Sequence, residues 1–190
     1  MPGRPIADAA LLTCAFFVIA CNSDTRLTDM DGNRYGTVRI GQQTWMTENL
    51  RLDVGEGSYC YDDDPARCVE MGRLYTWEAA TRAADRIPGW HLPSQEEWLT
   101  LIAASGPDSL AYRAIISEEF GFAPQWSGVR VASGQFRAME LKTVNYWSST
   151  VSQQDTTLAW SVAIMSNLEI ISPHNYPRVN ACSVRLIKDN

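Results

Sequence analysis

The sequence has no cluster of basic residues: its 16 Lys and Arg are outnumbered by 22 Asp and Glu, and the formal net charge is −6. Binding to nucleic-acid phosphates depends on clustered positive charge, so this composition argues against nucleic acid as a partner. No run of about 20 apolar residues is present either, and no segment is therefore expected to span a membrane. The chain is long enough and has enough aromatic residues for one domain with a substantial core: it has 190 residues, with seven Trp, seven Tyr and five Phe.

The N-terminal segment has the pattern of a targeting sequence and not of folded structure. Arg4 precedes an almost continuous apolar run, 9–20, which is too short to span a bilayer. The run ends in Val18-Ile19-Ala20-Cys21, which resembles a bacterial lipobox and implies cleavage before Cys21 with lipid on its thiol. We therefore expect a lipoprotein signal peptide over 1–20, a polar tether over 21–28, and an exported protein anchored to the bacterial outer membrane or cell surface. An ordinary signal peptide cut elsewhere is the alternative.

The cysteines fit an exported protein. Cys60 and Cys68 flank an acidic stretch that contains proline, and in an oxidising compartment we expect them to form a disulfide. A metal site is the alternative, but no second pair of Cys or His is present to complete four ligands. Cys182 remains alone among Val and Leu residues, where we expect a buried, unreactive thiol. We predict no metal site and no cofactor.

The segment Gly89–Trp98 joins an extended run to a helix. Leu92 precedes a proline and is therefore confined to an extended conformation. Ser94 can cap the following helix, and Glu97, three residues later, can complete a capping box. His91 has no visible partner in this pattern. We interpret the corner as a core element with two tryptophans and not as a catalytic site.

The remaining pattern predicts a single domain over 29–190 whose helices are grouped early. Apolar periodicity and turn residues place a hairpin at 35–46, a long loop at 50–73, helices at 78–84, 94–104 and 108–120, strands at 129–131, 135–137, 146–150, 160–165, 168–171 and 183–187, and a polar loop at 172–180. This order predicts an α+β fold with mixed, mostly antiparallel sheets, two to three helices and a long loop region.

Several motifs, in order along the chain, resemble those of one family. They are Asp29-x-Asp31-Gly32-Asn33-x-Tyr35, Trp45-Met46-x-Glu48-Asn49-Leu50, Gly72-Arg73-Leu74-Tyr75-Thr76-Trp77, Gly89-Trp90-His91-Leu92-Pro93-Ser94-x-x-Glu97-Trp98, Tyr146-Trp147-Ser148-Ser149-Thr150 and Ser183-Val184-Arg185. Together they resemble the major paralogous domain of Fibrobacter succinogenes, which occurs on exported proteins of that bacterium and its relatives. The resemblance implies a C-type-lectin-like fold, in which terminal strands pair, two helices pack on the sheet, and a loop-rich half displays the binding surface.

The chain departs from the family pattern at two positions where the family usually has cysteines. Ile87 stands just before the Gly-Trp corner, and Leu186 follows Ser183-Val184-Arg185. Both replacements are apolar, so we expect Ile87 and Leu186 to make a contact in place of a disulfide.

The C-terminal part is also similar to the variable proteins of diversity-generating retroelements, which are C-type-lectin-like too. In those proteins residues like Trp160 and Arg185 hold the framework, while surface positions between them vary. Large apolar and smaller side chains alternate over 160–165, which is the period of a half-buried strand with one outward face. The residues that we predict to contact a ligand, on that face and in the following loop, are Ser161, Ala163, Met165, Asn167, Glu169, His174, Asn175, Tyr176 and Asn180.

These patterns favour a non-catalytic binding module on the cell surface that holds a glycan or a protein. Asn, Tyr, His and Trp supply stacking and adaptable hydrogen bonds at such surfaces. The calcium-dependent sugar site of true C-type lectins is not evident, and we interpret Asp62-Asp63-Asp64 as a solvated turn. One alternative is a structural or adhesive surface protein. Another is an enzyme related to formylglycine-generating oxidases, which needs a reactive cysteine pair, whereas Cys182 is alone.

Overall fold

The structure is a computed structural model that describes residues 26–189. The predicted signal peptide, 1–20, and the predicted lipidation site, Cys21, lie outside the described residues. Among the helices that are described, none is long and apolar enough to cross a bilayer.

The described part of the chain is an α+β domain, as the sequence predicted, with short, mostly antiparallel sheets and four α-helices. The helices are α1 Pro65–Met71, α2 Trp77–Ala84, α3 Gln95–Ala104 and α4 Asp108–Ile115. The strands are β1 Leu27–Thr28, β2 Arg34–Tyr35, β3 Thr37–Ile40, β4 Gln43–Met46, β5 Ser58–Tyr59, β6 Leu74–Tyr75, β7 Trp90–His91, β8 Val129–Arg130, β9 Phe136–Arg137, β10 Thr143–Val151, β11 Leu158–Met165, β12 Ile170–Pro177 and β13 Ile187–Lys188.

Two sheets organise the domain. The first is antiparallel in the order β10-β11-β12, and the second has the order β3-β4-β13-β7. In the second sheet Ile187 pairs with both Trp45 and His91. The last strand, β13, therefore lies between β4 and β7, so the C-terminal part of the domain is hydrogen-bonded to its first half.

Aromatic side chains fill the core, as the sequence predicted. Trp98 and Trp147 are fully buried, and Trp160 is almost so. Trp98 belongs to one buried cluster and Trp147 to a second one. The second cluster also contains both Ile87 and Leu186, which bury apolar surface where the family usually has cysteines.

Several sequence predictions of local structure are wrong, among them the strand 183–187, of which only Ile187 lies in a strand. The predicted tether reaches residue 28, but Leu27–Thr28 pairs with Arg34–Tyr35 and Leu27 is buried. The predicted loop 50–73 contains α1, where Asp64 caps the helix N-terminus ahead of a proline at its first turn. The predicted polar loop 172–180 is mostly β12, whose polar residues are tolerated because this edge strand alternates between exposed and half-buried positions.

The expected disulfide between Cys60 and Cys68 is present, and Cys182 is a free, buried cysteine. Burial raises the pKa of the Cys182 thiol well above its usual value. Since the thiolate is the reactive form, this environment makes Cys182 unreactive, as predicted.

Removal of the disulfide is expected to lower the free energy of unfolding by about 2.5 kcal/mol, from the chain entropy of a short closed loop. The two bridged cysteines are separated by 8 positions in the sequence, so the closed loop is short. Urea denaturation of a Cys60→Ala/Cys68→Ala double variant checks this. The parent protein should lose the same stability in reducing agent, and the double variant should lose none. A parent that is indifferent to reduction contradicts the prediction.

Candidate functional site

The predicted capping box at the start of α3 is present. The Ser94 hydroxyl accepts a hydrogen bond from the backbone N–H of Glu97 at 3.2 Å. In return, the Glu97 carboxylate accepts from the backbone N–H of Ser94 at 2.8 Å. These reciprocal bonds satisfy two donors that a helix N-terminus otherwise leaves unpaired, and so fix the direction in which the helix leaves the corner.

The same corner is bonded to the end of β10. The backbone N–H of Ser149 donates to the carbonyl of Pro93 at 2.8 Å, and the backbone N–H of Gln95 donates to the Thr150 hydroxyl at 2.9 Å. Segments that lie 55 residues apart in the chain are thereby held side by side. The surface on either side of this junction is built on rigid elements.

A cleft of about 320 Å³ opens beside this junction. We call it the amide cleft, and its lining contains no charged side chain. It is lined by Gln95, Thr150, Val151, Ser152, Gln153, Gln154, Trp160 and Asn175. Within the described part of the chain, the side-chain amides of Gln95, Gln153, Gln154 and Asn175 have no hydrogen-bond partner. The cleft therefore offers several neutral donors and acceptors that the fold itself does not use.

Hydrogen bonds order the backbone of the turn after β10, which carries two of these amides. The backbone N–H of Ser152 donates to the carbonyl of Leu158 at 3.0 Å, and the Ser152 hydroxyl accepts from the backbone N–H of Asp155. The Asp155 carboxylate in turn accepts from the backbone N–H and the hydroxyl of Thr157. These bonds order the loop that carries Gln153 and Gln154, which lowers the entropy cost of binding a ligand.

Of the predicted ligand-binding residues, Asn175 is exposed and lines the amide cleft. Five other predicted residues also reach solvent. Asn167 and Glu169 are exposed, and Met165, His174 and Tyr176 are half-buried. Asn167 and Glu169 lie at the far end of the β11–β12 hairpin, roughly 20 Å from Asn175 at the rise of an extended strand. One small ligand cannot contact both ends.

The predicted outward placement of Ser161 and Ala163 is wrong, because both are buried. Their strand, β11, is the central strand of its sheet, and Ser161 lies between Trp147 and His174 in the register. A strand covered on both faces does not present an outward row to a ligand. The alternation of large and small side chains along β11 therefore does not separate a buried face from an exposed one, because residues 160–164 are all buried.

Asn180 is also buried, and its side chain has a structural role. Its amide oxygen accepts a hydrogen bond from the backbone N–H of Ala132 at 2.8 Å. Asn180 therefore joins the end of the C-terminal loop to the β8–β9 hairpin and is not free to contact a ligand.

His91, for which the sequence indicated no partner, has two. Its Nδ1 lies 2.6 Å from an Asp189 carboxylate oxygen, and its Nε2 lies 2.9 Å from a Glu97 carboxylate oxygen. Only the doubly protonated imidazolium can donate to both. Partial burial lowers the pKa of His91, but the hydrogen bonds to Asp189 and Glu97 outweigh it and raise the pKa above 6.5. For Glu97, burial raises the pKa, and the hydrogen bonds from Ser94 and His91 outweigh that and lower it below 4.5.

These shifts predict a pH dependence of stability. The raised pKa of His91 contributes stability that is complete below its unfolded pKa and is lost as pH rises through its folded pKa. The lowered pKa of Glu97 contributes stability that is present above its unfolded pKa and is lost on acidification. We expect this network to stabilise most between about pH 4.5 and 6.5, by less than about 1 kcal/mol since solvent screens it.

Urea denaturation at pH 6 and pH 9 measures the alkaline half of this dependence. His91→Gln should reduce the loss of stability that the parent shows between the two values, and the remaining loss is expected from Cys182, whose pKa burial raises. His174→Gln, at the other histidine of the chain, is the matched control and should retain the full loss. A His91→Gln variant that still loses as much stability as the parent contradicts the assignment.

Among the residues that the structure describes, no group of three or more His, Cys, Asp or Glu side chains is arranged to hold a metal ion. The amide cleft itself was missed by the sequence reasoning, apart from Asn175. Gln95, Gln153 and Gln154 carry no periodic or motif signal, and their segments come together only in the fold.

Comparison with known proteins identifies the chain at the level of the family. No curated protein and no solved structure matches it significantly. A family model described as the Fibrobacter succinogenes major domain matches residues 38–188. The matched segment runs from the second residue of β3 to the end of β13 and thus covers nearly all of both main sheets and every α-helix of the described residues. The chain belongs to the Fibrobacter succinogenes major domain family.

Proposed function

We propose that this protein is an exported, lipid-anchored surface module that binds a neutral glycan without performing chemistry on it. The amide cleft is the binding site. The observation that carries the proposal is the set of amides in that cleft that have no partner in the described part of the chain, in a lining that also contains Trp160.

The chemistry of the lining supports a polyhydroxylated ligand. Each amide offers both donors and an acceptor, and each sugar hydroxyl can do the same, so the two match in pairs. A neutral lining gives no electrostatic attraction to phosphate, sulfate or carboxylate groups. The lining also contains no carboxylate, histidine or cysteine that could act as an acid, a base or a nucleophile. Binding without turnover is the activity that such a cleft suits.

The surface location rests on the sequence. The motif Val18-Ile19-Ala20-Cys21 supports lipid attachment at Cys21, and the disulfide between Cys60 and Cys68 suits an oxidising compartment. The motifs imply a C-type-lectin-like fold, and such a fold would display a binding surface in its loop-rich half.

A glycan array probed with residues 22–190 tests the proposal. We expect binding to one or more neutral glycans, and Asn175→Ala or Gln153→Ala/Gln154→Ala should weaken it at least tenfold by removing several hydrogen bonds. Asn167→Ala is the matched control, because this exposed amide lies at the other end of the same hairpin. It should bind as the parent does.

Two results would contradict the proposal. Retention of binding by both cleft variants, with loss in Asn167→Ala, moves the site to the hairpin end. The absence of binding to every neutral glycan, combined with self-association of the purified protein, favours a structural surface protein instead.

A further inference from the structure

A second cavity lies on the other side of the junction between β10 and α3. We call it the tryptophan pocket; its volume is about 390 Å³, within the range of small-molecule sites. Its lining includes two tryptophans, Trp77 and Trp90, and the polar residues Asp85 and Ser149. Neither tryptophan is fully buried, although both pack against the core cluster.

The two cavities share a thin wall. Ser149 lines the tryptophan pocket, and Thr150, the next residue, lines the amide cleft. Consecutive Cα atoms are about 3.8 Å apart and successive strand side chains point to opposite faces, so the backbone of β10 itself separates the two linings at this point. The wall is rigid, because Ser149 bonds to Pro93 and Thr150 bonds to Gln95. A ligand that crosses the end of β10 can therefore enter both.

The tryptophan pocket retains polar groups that the protein does not use. The Asp85 side chain is exposed and, like the Ser149 hydroxyl, has no hydrogen-bond partner in the described part of the chain. A carboxylate accepts strongly from hydroxyl groups, and an indole face packs against the apolar face of a sugar ring. Apolar walls with a few convergent polar groups are the usual make-up of a small-ligand site.

One wall of the pocket is preorganised. The Trp77 indole N–H donates to the carbonyl of Ser148 at 2.8 Å, and the Arg178 guanidinium lies 4.1 Å from its ring centroid. The Trp77 ring is therefore held by a hydrogen bond at its edge and by a cation–π contact on one face. His91, at the pocket edge, is already held by Asp189 and Glu97. The Asp85 carboxylate is therefore the charged group in the lining without a partner among the described residues, and its negative charge would repel anionic sugars.

We propose that the tryptophan pocket is a second subsite for the glycan that the amide cleft binds, so that the ligand is a linear neutral oligosaccharide lying across the end of β10. This inference rests on the proposed glycan-binding function. It predicts that affinity depends on chain length, since a short sugar fills one cavity and a longer one fills both.

Isothermal titration with neutral linear oligosaccharides of glucose, mannose, xylose and N-acetylglucosamine, one to six units long, tests the proposal. The parent should bind the longest member of the recognised series at least tenfold more tightly than the shortest. Asp85→Ala and Trp90→Ala should remove that gain and leave the affinity for the shortest member unchanged. Asn175→Ala should weaken every length. Asp108→Ala, another exposed helix carboxylate, is the matched control and should bind as the parent does.

The outcomes separate this inference from the function on which it rests. Affinity that is independent of length, or Asp85→Ala binding long chains as tightly as the parent, overturns the second subsite and leaves the amide cleft as the site. No binding of the parent to any member of the panel overturns both. Should Trp90→Ala fail to fold, as judged by circular dichroism, the exposed Asp85→Ala change decides the matter alone.

Discussion

Replacement of Arg185 by methionine is expected to lower the free energy of unfolding by about 3–5 kcal/mol, which is enough to unfold many domains of this size. Arg185 is fully buried. Its guanidinium donates to the Asn49 side chain at 2.8 Å and to the carbonyls of Met46, Phe122 and Ala123 at 3.1, 2.6 and 2.9 Å. Methionine fills a similar volume, but it removes the guanidinium donor from all four acceptors, of which the Asn49 oxygen keeps the Tyr146 hydroxyl as a donor.

The position of these acceptors explains why the effect should be large. They belong to the end of the β3–β4 hairpin, to the residues just after it and to the segment after α4, which the guanidinium joins to the last part of the chain. The side chain also lies over the ring of Phe122, at 4.8 Å from its centroid. Burial lowers the pKa of Arg185. A single side chain thus donates hydrogen bonds to two segments that are distant from it in the sequence.

Urea denaturation followed by tryptophan fluorescence measures this effect. Arg113→Met is the matched control: its side chain is 73% exposed and makes a surface ion pair with Glu169 at 3.6 Å. Such a pair contributes at most about 1 kcal/mol. Stability of Arg185→Met within about 1 kcal/mol of the parent would show that the buried guanidinium is not needed for the fold.

Truncation of Trp98 to alanine is expected to cost about 3–5 kcal/mol, the usual range for a buried tryptophan. The Trp98 ring is fully buried, with ring centroids 4.8 Å from Trp45, 5.4 Å from Tyr146 and 5.9 Å from Phe122. Its indole N–H donates to the carbonyl of Trp147 at 3.2 Å. Alanine leaves a large cavity and an unpaired carbonyl in β10.

Trp98→Phe separates the two contributions, because it keeps an aromatic ring but has no N–H. We expect the free energy of unfolding of Trp98→Phe to lie between that of the parent and that of Trp98→Ala. Trp126→Ala, at a half-buried position on the edge of the same cluster, should cost less than Trp98→Ala. An equal cost at positions 98 and 126 would show that burial of Trp98 is not what matters.

The position of Trp98 connects stability with the proposed function. It sits one turn into α3, directly after the capping box, and its indole bonds to the strand that carries Ser149 and Thr150. Both proposed cavities lie on this junction. A partly destabilised junction should therefore weaken binding in both before the domain unfolds, since ligand sites need rigid support.

Much of the local structure could be predicted from the sequence. The capping box at Ser94 and Glu97, the hairpin that pairs Val38 with Trp45, and the disulfide between Cys60 and Cys68 are all confirmed. Each depends on residues that lie within about a dozen positions of one another. At that range, backbone geometry and side-chain chemistry restrict the chain to a few conformations.

What only the tertiary structure decided are the features that distant segments share. Ser161 and Ala163 are buried because β11 is covered on both faces, which its own alternation does not reveal. His91 acquires Asp189 as a partner across 98 residues of chain. The amide cleft brings Gln95 from a helix start beside Asn175 on an edge strand. Periodicity reports which face of a segment is apolar, but the packing of whole segments against one another determines what lies opposite that face.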